Sequence, residues 1–232
     1  MDENVTAGGA YFRKQDWAYE QVRAKILSGA ISAGRPIGQE DLAESLNISR
    51  IPLREALSRL KAEGWLDGLP HRRMVVPELS LDGARDIYAG RAALESTLAR
   101  FAAAAGPHAS LLAARTALGE QRAAFDSGDL PRFRSLDRDF HMGLYTLADM
   151  PQTMSAASQL YALGERYVGL YLGTVDRSGE SLAEHATILE AIEAGDTASA
   201  ERLTREHISR GLVVLEDFLL PESADPSPES DR

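Results

Sequence analysis

The chain has 232 residues, which exceeds the usual size of one domain, so two domains are expected. Hydrophobic residues make up 44% of the chain and charged residues 26%, a composition typical of soluble globular proteins. There is no apolar run of about eighteen residues and no basic start before an apolar segment, so neither a membrane span nor a secretory signal is predicted. The absence of cysteine excludes disulfides and thiolate metal sites, and it favours a cytoplasmic location.

The net charge of -10 is distributed unevenly along the chain. Residues 1–77 carry 11 Lys and Arg against 10 Asp and Glu, whereas residues 78–232 carry 14 against 25. Between Arg50 and Arg73 there are six basic residues and three acidic ones. Because the acidic second half would repel phosphate, we expect it to lie away from any bound nucleic acid.

The first third of the chain predicts three helices followed by a hairpin. Residues 1–14 lack a periodic pattern and predict a flexible arm. The predicted elements are helices at Asp16–Ser28, Gln39–Leu46 and Arg50–Glu63, and strands at Trp65–Asp67 and Met74–Val76. This order is that of a winged helix-turn-helix over residues 15–77.

The third predicted helix has a pattern typical of a DNA-reading helix. Ser49 is a candidate N-cap and Pro52 suits the first turn, while Arg50 and Arg54 project one turn apart. An arginine can bind a guanine edge or clamp a phosphate, and the hairpin tip can enter the minor groove. The candidate DNA-contacting residues are Ser49, Arg50, Pro52, Arg54, Arg59, Arg72 and Arg73. For the arginines alone, the alternative is a helix with ordinary solvated charges.

Residues 78–220 predict an all-α antiparallel bundle of about six helices. The candidate helices are Leu81–Ala105, Ala109–Ser127, Leu130–Ala148, Gln152–Val175, Ser181–Ala194 and Thr197–Leu220. Asp129 and Asp196 are the expected N-caps of two of them. Residues 221–232 are rich in Pro, Ser and acidic residues and are expected to be disordered. The predicted fold class is mainly α, with an N-terminal winged helix-turn-helix before the bundle.

Three of the five histidines fall on separate helices of this bundle. Asp137 precedes His141 by four residues, so the two side chains share a helix face, roughly 6 Å apart along the axis. Together with His185 and His207, they can surround a divalent cation. Three nitrogens and one oxygen suit zinc, nickel, cobalt, iron or manganese, with open positions for water or a carboxylate. The alternatives are ordinary core histidines and a simple Asp137–His141 pair.

Two parts of the chain resemble one family of bacterial transcription regulators. Ser49-Arg50-Ile51-Pro52-Leu53-Arg54-Glu55-Ala56-Leu57, with Glu63-Gly64-Trp65-Leu66, resembles the DNA-binding domain of the GntR family. Residues 81–218 resemble the FCD ligand-binding domain of its FadR-type branch, through Tyr88-Ala89-Gly90-Arg91-Ala92-Ala93-Leu94-Glu95, Leu136-Asp137-Arg138-Asp139-Phe140-His141, the stretch after Glu184, and His207. The resemblance implies a metal held by Asp137, His141, His185 and His207.

The resemblance also implies a role for Arg91, at a position where the family commonly holds the carboxylate of a small effector. An internal salt bridge to Glu95 is the alternative. We expect a repressor, not an enzyme, that binds a palindromic operator as a homodimer and has no membrane partner. A small organic acid bound at a divalent metal would control it, with zinc expected first and nickel, iron or manganese as alternatives. Two other hypotheses are a metalloenzyme with an attached DNA-binding domain and a direct metal sensor.

Overall fold

A computed structural model describes residues 3–70, 73–106, 111–171 and 177–220. The chain divides into two compact units, Met1–Ser80 and Leu81–Arg232, so the boundary falls three residues after the predicted one. His71 and Arg72, and the tail predicted at 221–232, lie outside the described residues. Both units are built mainly from helices, and the predicted fold class is confirmed. No helix in the described ranges has the length and apolarity that a membrane crossing requires.

Unit 1 contains three helices and a two-stranded antiparallel sheet, in the order α1 (Glu3–Leu27), α2 (Gln39–Ser45), α3 (Arg50–Ala62), β1 (Asp67–Leu69) and β2 (Arg73–Val75). Residues 3–14, over which a flexible arm was predicted, are helical and belong to α1. No proline lies between Glu3 and Leu27, and extending a helix adds one hydrogen bond for each residue that becomes ordered. Consequently Asp16 lies inside α1 and does not cap it.

Schellman motifs end both helices of the helix-turn-helix. Asn47 adopts the left-handed conformation with φ of 51°, and Ile48 N donates to Ala43 O at 3.1 Å. After α3, Gly64 has φ of 82° and Trp65 N donates to Leu60 O at 2.9 Å. Because Trp65 completes the helix end and is buried in the core, β1 begins two residues later than predicted.

The core of unit 1 forms where α1 and α2 pack against α3. Leu53, Leu57 and Leu60 of α3 are buried, as are Val22 and Ile26 of α1. Their spacing of three and four residues places them on one side of each helix. The opposite side of α3 therefore faces solvent, and this orientation decides which of its basic residues are accessible.

Unit 2 consists of six α-helices and one 3-10 turn within the described ranges. They are α4 (Leu81–Ala104), α5 (Leu111–Ser127), α6 (Leu130–Tyr145) with a 3-10 turn at Thr146–Ala148, α7 (Pro151–Tyr171), α8 (Ser178–Glu193) and α9 (Thr197–Leu219). Asp129 and Asp196 are N-caps as predicted, since each side chain accepts a hydrogen bond from a main-chain N–H three residues later. Helix α8 begins three residues earlier than predicted.

The helices of unit 2 surround an apolar core that contains a group of buried polar side chains. Helix α4 packs against α7 and α9, α5 packs against α6, and α8 packs against both α5 and α9. Large apolar residues such as Leu98, Phe140 and Ile188 fill the core. The buried polar residues include Arg91, Glu95, Gln121, His141, His185 and His207. Burial of such groups is costly unless they are paired, so each requires a partner within the protein.

Candidate functional site

In unit 1, one solvent-exposed side of α3 carries a row of polar and basic residues. Arg50, Arg54, Ser58 and Lys61 follow one another at helical spacing, and together with Arg73 of β2 they line a shallow cavity. All five side chains are exposed. Lys61 was missed by the sequence analysis, although its spacing of eleven residues from Arg50 is three helical turns. The result is a basic surface between α3 and the hairpin, of a kind that suits a nucleic-acid backbone.

Two residues at the start of α3, Arg50 and Ser49, affect this surface. Arg50 Nη2 lies 2.6 Å from Glu40 Oε1 in an ion pair whose side chains are 74% and 71% exposed. An ion pair this exposed contributes at most about 1 kcal/mol, so Arg50 can exchange Glu40 for another partner at little cost. Ser49 occupies the N-cap position, is exposed, and makes no capping hydrogen bond through its hydroxyl.

Two residues predicted to contact DNA are placed elsewhere. Pro52 is buried, because the side of the helix start that it occupies faces the core of unit 1. Arg59 lies on the opposite side of α3 from Arg50 and Arg54. Its guanidinium stacks 3.9 Å from the ring centre of Tyr19, and its Nε lies 2.9 Å from Glu63 Oε1. Burial shields Pro52, and Arg59 has partners within unit 1 on a different side of α3 from Arg50, so contact of either residue with DNA stays a prediction.

In unit 2, the structure brings the three predicted histidines together. His141 of α6, His185 of α8 and His207 of α9 are buried, and one ring nitrogen of each lies within 4.8 Å of those of the other two. His185 Nε2 and His207 Nε2 are 3.3 Å apart. His141 Nε2 is buried without a hydrogen-bond partner among the described residues. The three Nε2 atoms thus converge on a small central space.

The opposite ring nitrogen of each histidine is held by an acceptor. His207 Nδ1 lies 2.6 Å from Glu184 Oε2, and His185 Nδ1 lies 3.1 Å from the side-chain oxygen of Gln121. The Tyr145 hydroxyl donates to a glutamate, so its oxygen accepts from His141 Nδ1 at 3.1 Å. Because all three Nδ1 atoms donate, the neutral rings carry their lone pairs on Nε2.

The predicted carboxylate lies beside the histidines. Asp137 Oδ1 is 3.6 Å from His185 Nε2, and Oδ2 is 3.9 Å from His141 Nε2. Gln121 Nε2 donates to Oδ1 at 3.0 Å, and the Tyr161 hydroxyl donates to Oδ2 at 2.6 Å. Burial by itself would raise the pKa of Asp137, but His141, His185 and the bond from Tyr161 lower that pKa below its usual range. Asp137 is therefore an ionised carboxylate next to three imidazoles.

Burial also determines the charge state of the histidines. Removal from water lowers the pKa of His141 well below its ordinary value, and it lowers the pKa of His185 to about 3, with repulsion from His207 adding to the effect. Both rings are therefore neutral near pH 7 and have a free lone pair. His185 Nε2 and His207 Nε2 are 3.3 Å apart, a separation that requires a proton or a cation between the two atoms. The Ser181 hydroxyl, 3.3 Å from His185 Nε2, is the one neutral donor that the structure shows at this atom.

A cavity extends from this cluster, and Tyr88, Arg91, Asp137, Tyr161 and His207 are among its lining residues. Arg91 Nε donates to Glu95 Oε1 at 2.6 Å, so the internal salt bridge is present. The guanidinium lies 5.1 Å from the ring centre of Tyr88 and 4.6 Å from that of Tyr161. The salt bridge is made through Nε of the guanidinium, and Arg91 also lines the cavity.

Gly164 of α7 allows this placement of Arg91. A methyl group at its Cα would lie 3.1 Å from Arg91 Nη1, closer than an ordinary van der Waals contact. The absence of a side chain at residue 164 therefore gives the guanidinium its room.

A chain of hydrogen bonds joins this arginine to the histidine cluster. Arg91 binds one oxygen of Glu95, the Tyr145 hydroxyl donates to the other at 3.0 Å, and Tyr145 in turn contacts His141. All four residues are buried. A change at Arg91 therefore reaches a histidine through two intervening side chains.

The residues that hold the histidines were missed by the sequence analysis. Tyr145 follows His141 by four residues, a spacing that places both on one helix face and was available from the sequence. Gln121, Tyr161 and Glu184 carry no such signal. Each contacts a side chain on another helix, and no spacing within its own helix indicates that partner.

A winged helix-turn-helix suits DNA binding, and a helical unit with a cavity lined by charged and aromatic residues suits ligand binding. Residues 14–76 match the model of bacterial regulatory proteins of the gntR family, and residues 86–210 match that of the FCD domain. The chain belongs to the GntR family of DNA-binding transcription regulators that carry an FCD domain. The metalloenzyme hypothesis is excluded, because this family and the similar proteins are regulators.

Individual relatives agree with this assignment. The HTH-type transcriptional repressor RspR of Escherichia coli (strain K12) is 27% identical over 190 residues, 82% of this chain and 83% of its own. The HTH-type transcriptional regulator BphR of Paraburkholderia xenovorans (strain LB400) is 29% identical over 206 residues, 86% and 84% of the two chains. The solved structure of E. coli McbR/YncC has the same fold, with a TM-score of 0.79, 21% identity, and coverage of 89% of this chain and 99% of its own.

The buried Arg91–Glu95 pair predicts a strong energetic coupling. Arg91→Leu should lower the free energy of unfolding by about 3–5 kcal/mol, because it leaves the fully buried Glu95 carboxylate without its cation. Arg91→Leu combined with Glu95→Leu should lose clearly less than the sum of the single losses. Urea denaturation measures all three variants. The same cycle at the exposed pair Arg202–Glu206 is the control and should give a coupling below about 0.5 kcal/mol. Additive losses at Arg91 and Glu95 would contradict the prediction.

Proposed function

We propose that the protein is a transcriptional repressor whose operator affinity is controlled by a small organic acid bound at a metal site in unit 2. One observation carries the proposal: the Nε2 atoms of three buried histidines converge beside Asp137, at the end of a cavity that Arg91 also lines. The Nδ1 atom of each ring is bound by an acceptor on the outer side. Imidazoles oriented in this way by outer hydrogen bonds are typical of metal ligands. The relative RspR is named a repressor, which supports the sign of regulation.

Asp137, His141, His185 and His207 would hold the metal. Three neutral imidazoles and one carboxylate suit zinc first, with nickel, iron or manganese as alternatives. A cation at the centre would also satisfy His185 Nε2 and His207 Nε2, which lie 3.3 Å apart. When bound, the metal supplies a Lewis acid with an open position for an oxygen ligand. Asp137 and His207 line the cavity, so that position is expected to face it.

Arg91 would hold the carboxylate of the effector from the α4 side of the cavity. The guanidinium keeps Glu95 as its internal partner through Nε and presents other N–H groups to the cavity. Binding at Arg91 would alter the hydrogen bonds of Glu95 and Tyr145 and, through them, His141. The helices that carry these residues would repack, and the two DNA-binding units of a homodimer would change their spacing. A linkage of this kind has a coupling free energy of about 1–3 kcal/mol.

Unit 1 would bind the palindromic operator, one copy to each half-site. Arg50 and Arg54 would contact base edges in the major groove, while Ser49, Lys61 and Arg73 would contact phosphates. Arg72 lies outside the described residues and keeps its predicted role at the hairpin tip. Since operator DNA is the proposed partner, we place the protein in the cytoplasm.

The metal site predicts stoichiometric metal in the purified protein. Metal analysis should find about one ion per chain, and His185→Ala should lose most of it because one of four ligands is removed. Phe140→Leu is the control: Phe140 stacks on the ring of His185, 4.7 Å between centres, and provides no ligand atom. This variant should keep its metal. If the wild-type protein holds no metal and His185→Ala changes nothing, the histidines are ordinary core residues.

The basic side of α3 predicts which arginines matter for DNA binding. Arg50→Ala and Arg54→Ala should each weaken binding to the protein's own promoter by about 1–3 kcal/mol, because each removes a contact to a base. Fluorescence anisotropy with the promoter fragment measures the affinity at fixed salt. Arg35→Ala is the matched control, because it removes an exposed arginine of unit 1 away from α3, and it should have a small effect. Unchanged binding by the double variant Arg50→Ala, Arg54→Ala would show that α3 does not read DNA.

Titration of DNA affinity with metal, alone and with organic acids, tests the control mechanism. The proposal predicts that zinc alone changes operator affinity little and that an acid changes it about 5- to 150-fold when zinc is present. Protein treated with a chelator should not respond to the acid. If zinc alone produces the full change and acids add nothing, the protein is a direct metal sensor instead.

A further inference from the structure

Three arginine side chains line the cavity of unit 2: Arg91 from α4, Arg134 from α6 and Arg177 at the start of α8. Each is a potential partner for an anion, and the contacts that each already makes decide whether its charge is compensated within the protein. Arg177 Nη2 lies 2.8 and 2.7 Å from the two oxygens of Glu184, and its side chain is only 12% exposed. Arg91 is bonded to Glu95. These two arginines have a carboxylate partner within the protein.

Arg134 makes a different contact. Its Nη2 donates to the main-chain oxygen of Glu165 at 3.0 Å, whereas the carboxylate of Glu165 lies 3.7 Å from Arg138 Nη1. A main-chain oxygen is a neutral acceptor, so this hydrogen bond does not compensate the charge of the guanidinium. It does fix the position of the side chain. Four further N–H groups of Arg134 remain for other acceptors.

The position of Arg134 relates it to the proposed metal ligands. It precedes Asp137 by three residues on α6, so the two side chains are neighbours on one helix face, and both line the cavity. Arg134 is partly exposed, so a ligand can reach it. Gly169 of the facing helix α7 has no side chain. A methyl group at this residue would be in ordinary van der Waals contact, 3.9 Å, with both terminal nitrogens of Arg134.

We infer that Arg134 is a second anion-binding subsite of this cavity and that the effector is an organic acid with two acidic groups. The inference rests on the proposed function, because it takes the first acidic group to be held at Arg91 and the metal. The second group binds Arg134, whose planar guanidinium is already oriented by the Glu165 main chain. Arg134 therefore selects diacids over monoacids of the same length.

Isothermal titration calorimetry on the full-length, zinc-loaded protein tests this selection. The probes are matched pairs of linear acids: butyrate with succinate, valerate with glutarate, and hexanoate with adipate. In at least one pair the diacid should bind about tenfold more tightly than the monoacid. Arg134→Gln should weaken that diacid about tenfold and change the monoacid less than about twofold. Zinc content is measured after each titration, so that removal of metal by free diacid is not counted as binding.

Arg138→Gln is the control, because it removes an arginine from the next turn of α6 that is paired with Glu165. This variant should keep the preference for the diacid. The inference is overturned if wild-type protein binds monoacids and diacids equally, if Arg134→Gln keeps the preference, or if it weakens both acids by the same factor. If zinc-loaded wild-type protein binds none of the six acids, the proposed effector class fails as well. The two failures are thus distinguished by whether monoacids bind.

Discussion

Three hydrogen bonds from histidine Nδ1 atoms fix the rings at the centre of unit 2. Their acceptors come from different helices: Gln121 from α5, Tyr145 from α6 and Glu184 from α8. Because these acceptors bind the Nδ1 atoms, the Nε2 atoms of the three rings point toward one another. The packing of four helices and the chemistry of their centre therefore depend on the same few bonds, and neither can change without the other.

The elements and faces of both units could be predicted from the sequence because they follow from local rules. Helical period, turn residues and N-caps such as Asp129 and Asp196 depend on neighbours within a few residues. The same reasoning brought Asp137 and His141 together on one face. Of the outer acceptors, Tyr145 was within reach of the same reasoning, four residues after His141, whereas Gln121 was not, since it meets His185 across 64 residues of chain and no local pattern reports that distance.

Sequence reasoning placed Arg59 on the DNA surface and left out Lys61. Arg50 and Arg59 are both exposed, but nine residues separate them, so they point to opposite sides of α3, and Arg59 stacks on Tyr19. Lys61 follows Arg50 by eleven residues, about three helical turns, so it points to the same side as Arg50. Helical spacing from Arg50 therefore separates the two residues, whereas exposure does not.

The missing side chain at Gly164 has a consequence for how such a pocket diversifies. Ligand preference is usually attributed to the polar groups that touch the ligand. Here α7 approaches closely enough that a methyl group at residue 164 would lie 3.1 Å from Arg91 Nη1, so the guanidinium would have to shift by a few tenths of an ångström. A substitution that changes no charge can therefore change where the arginine stands in the cavity.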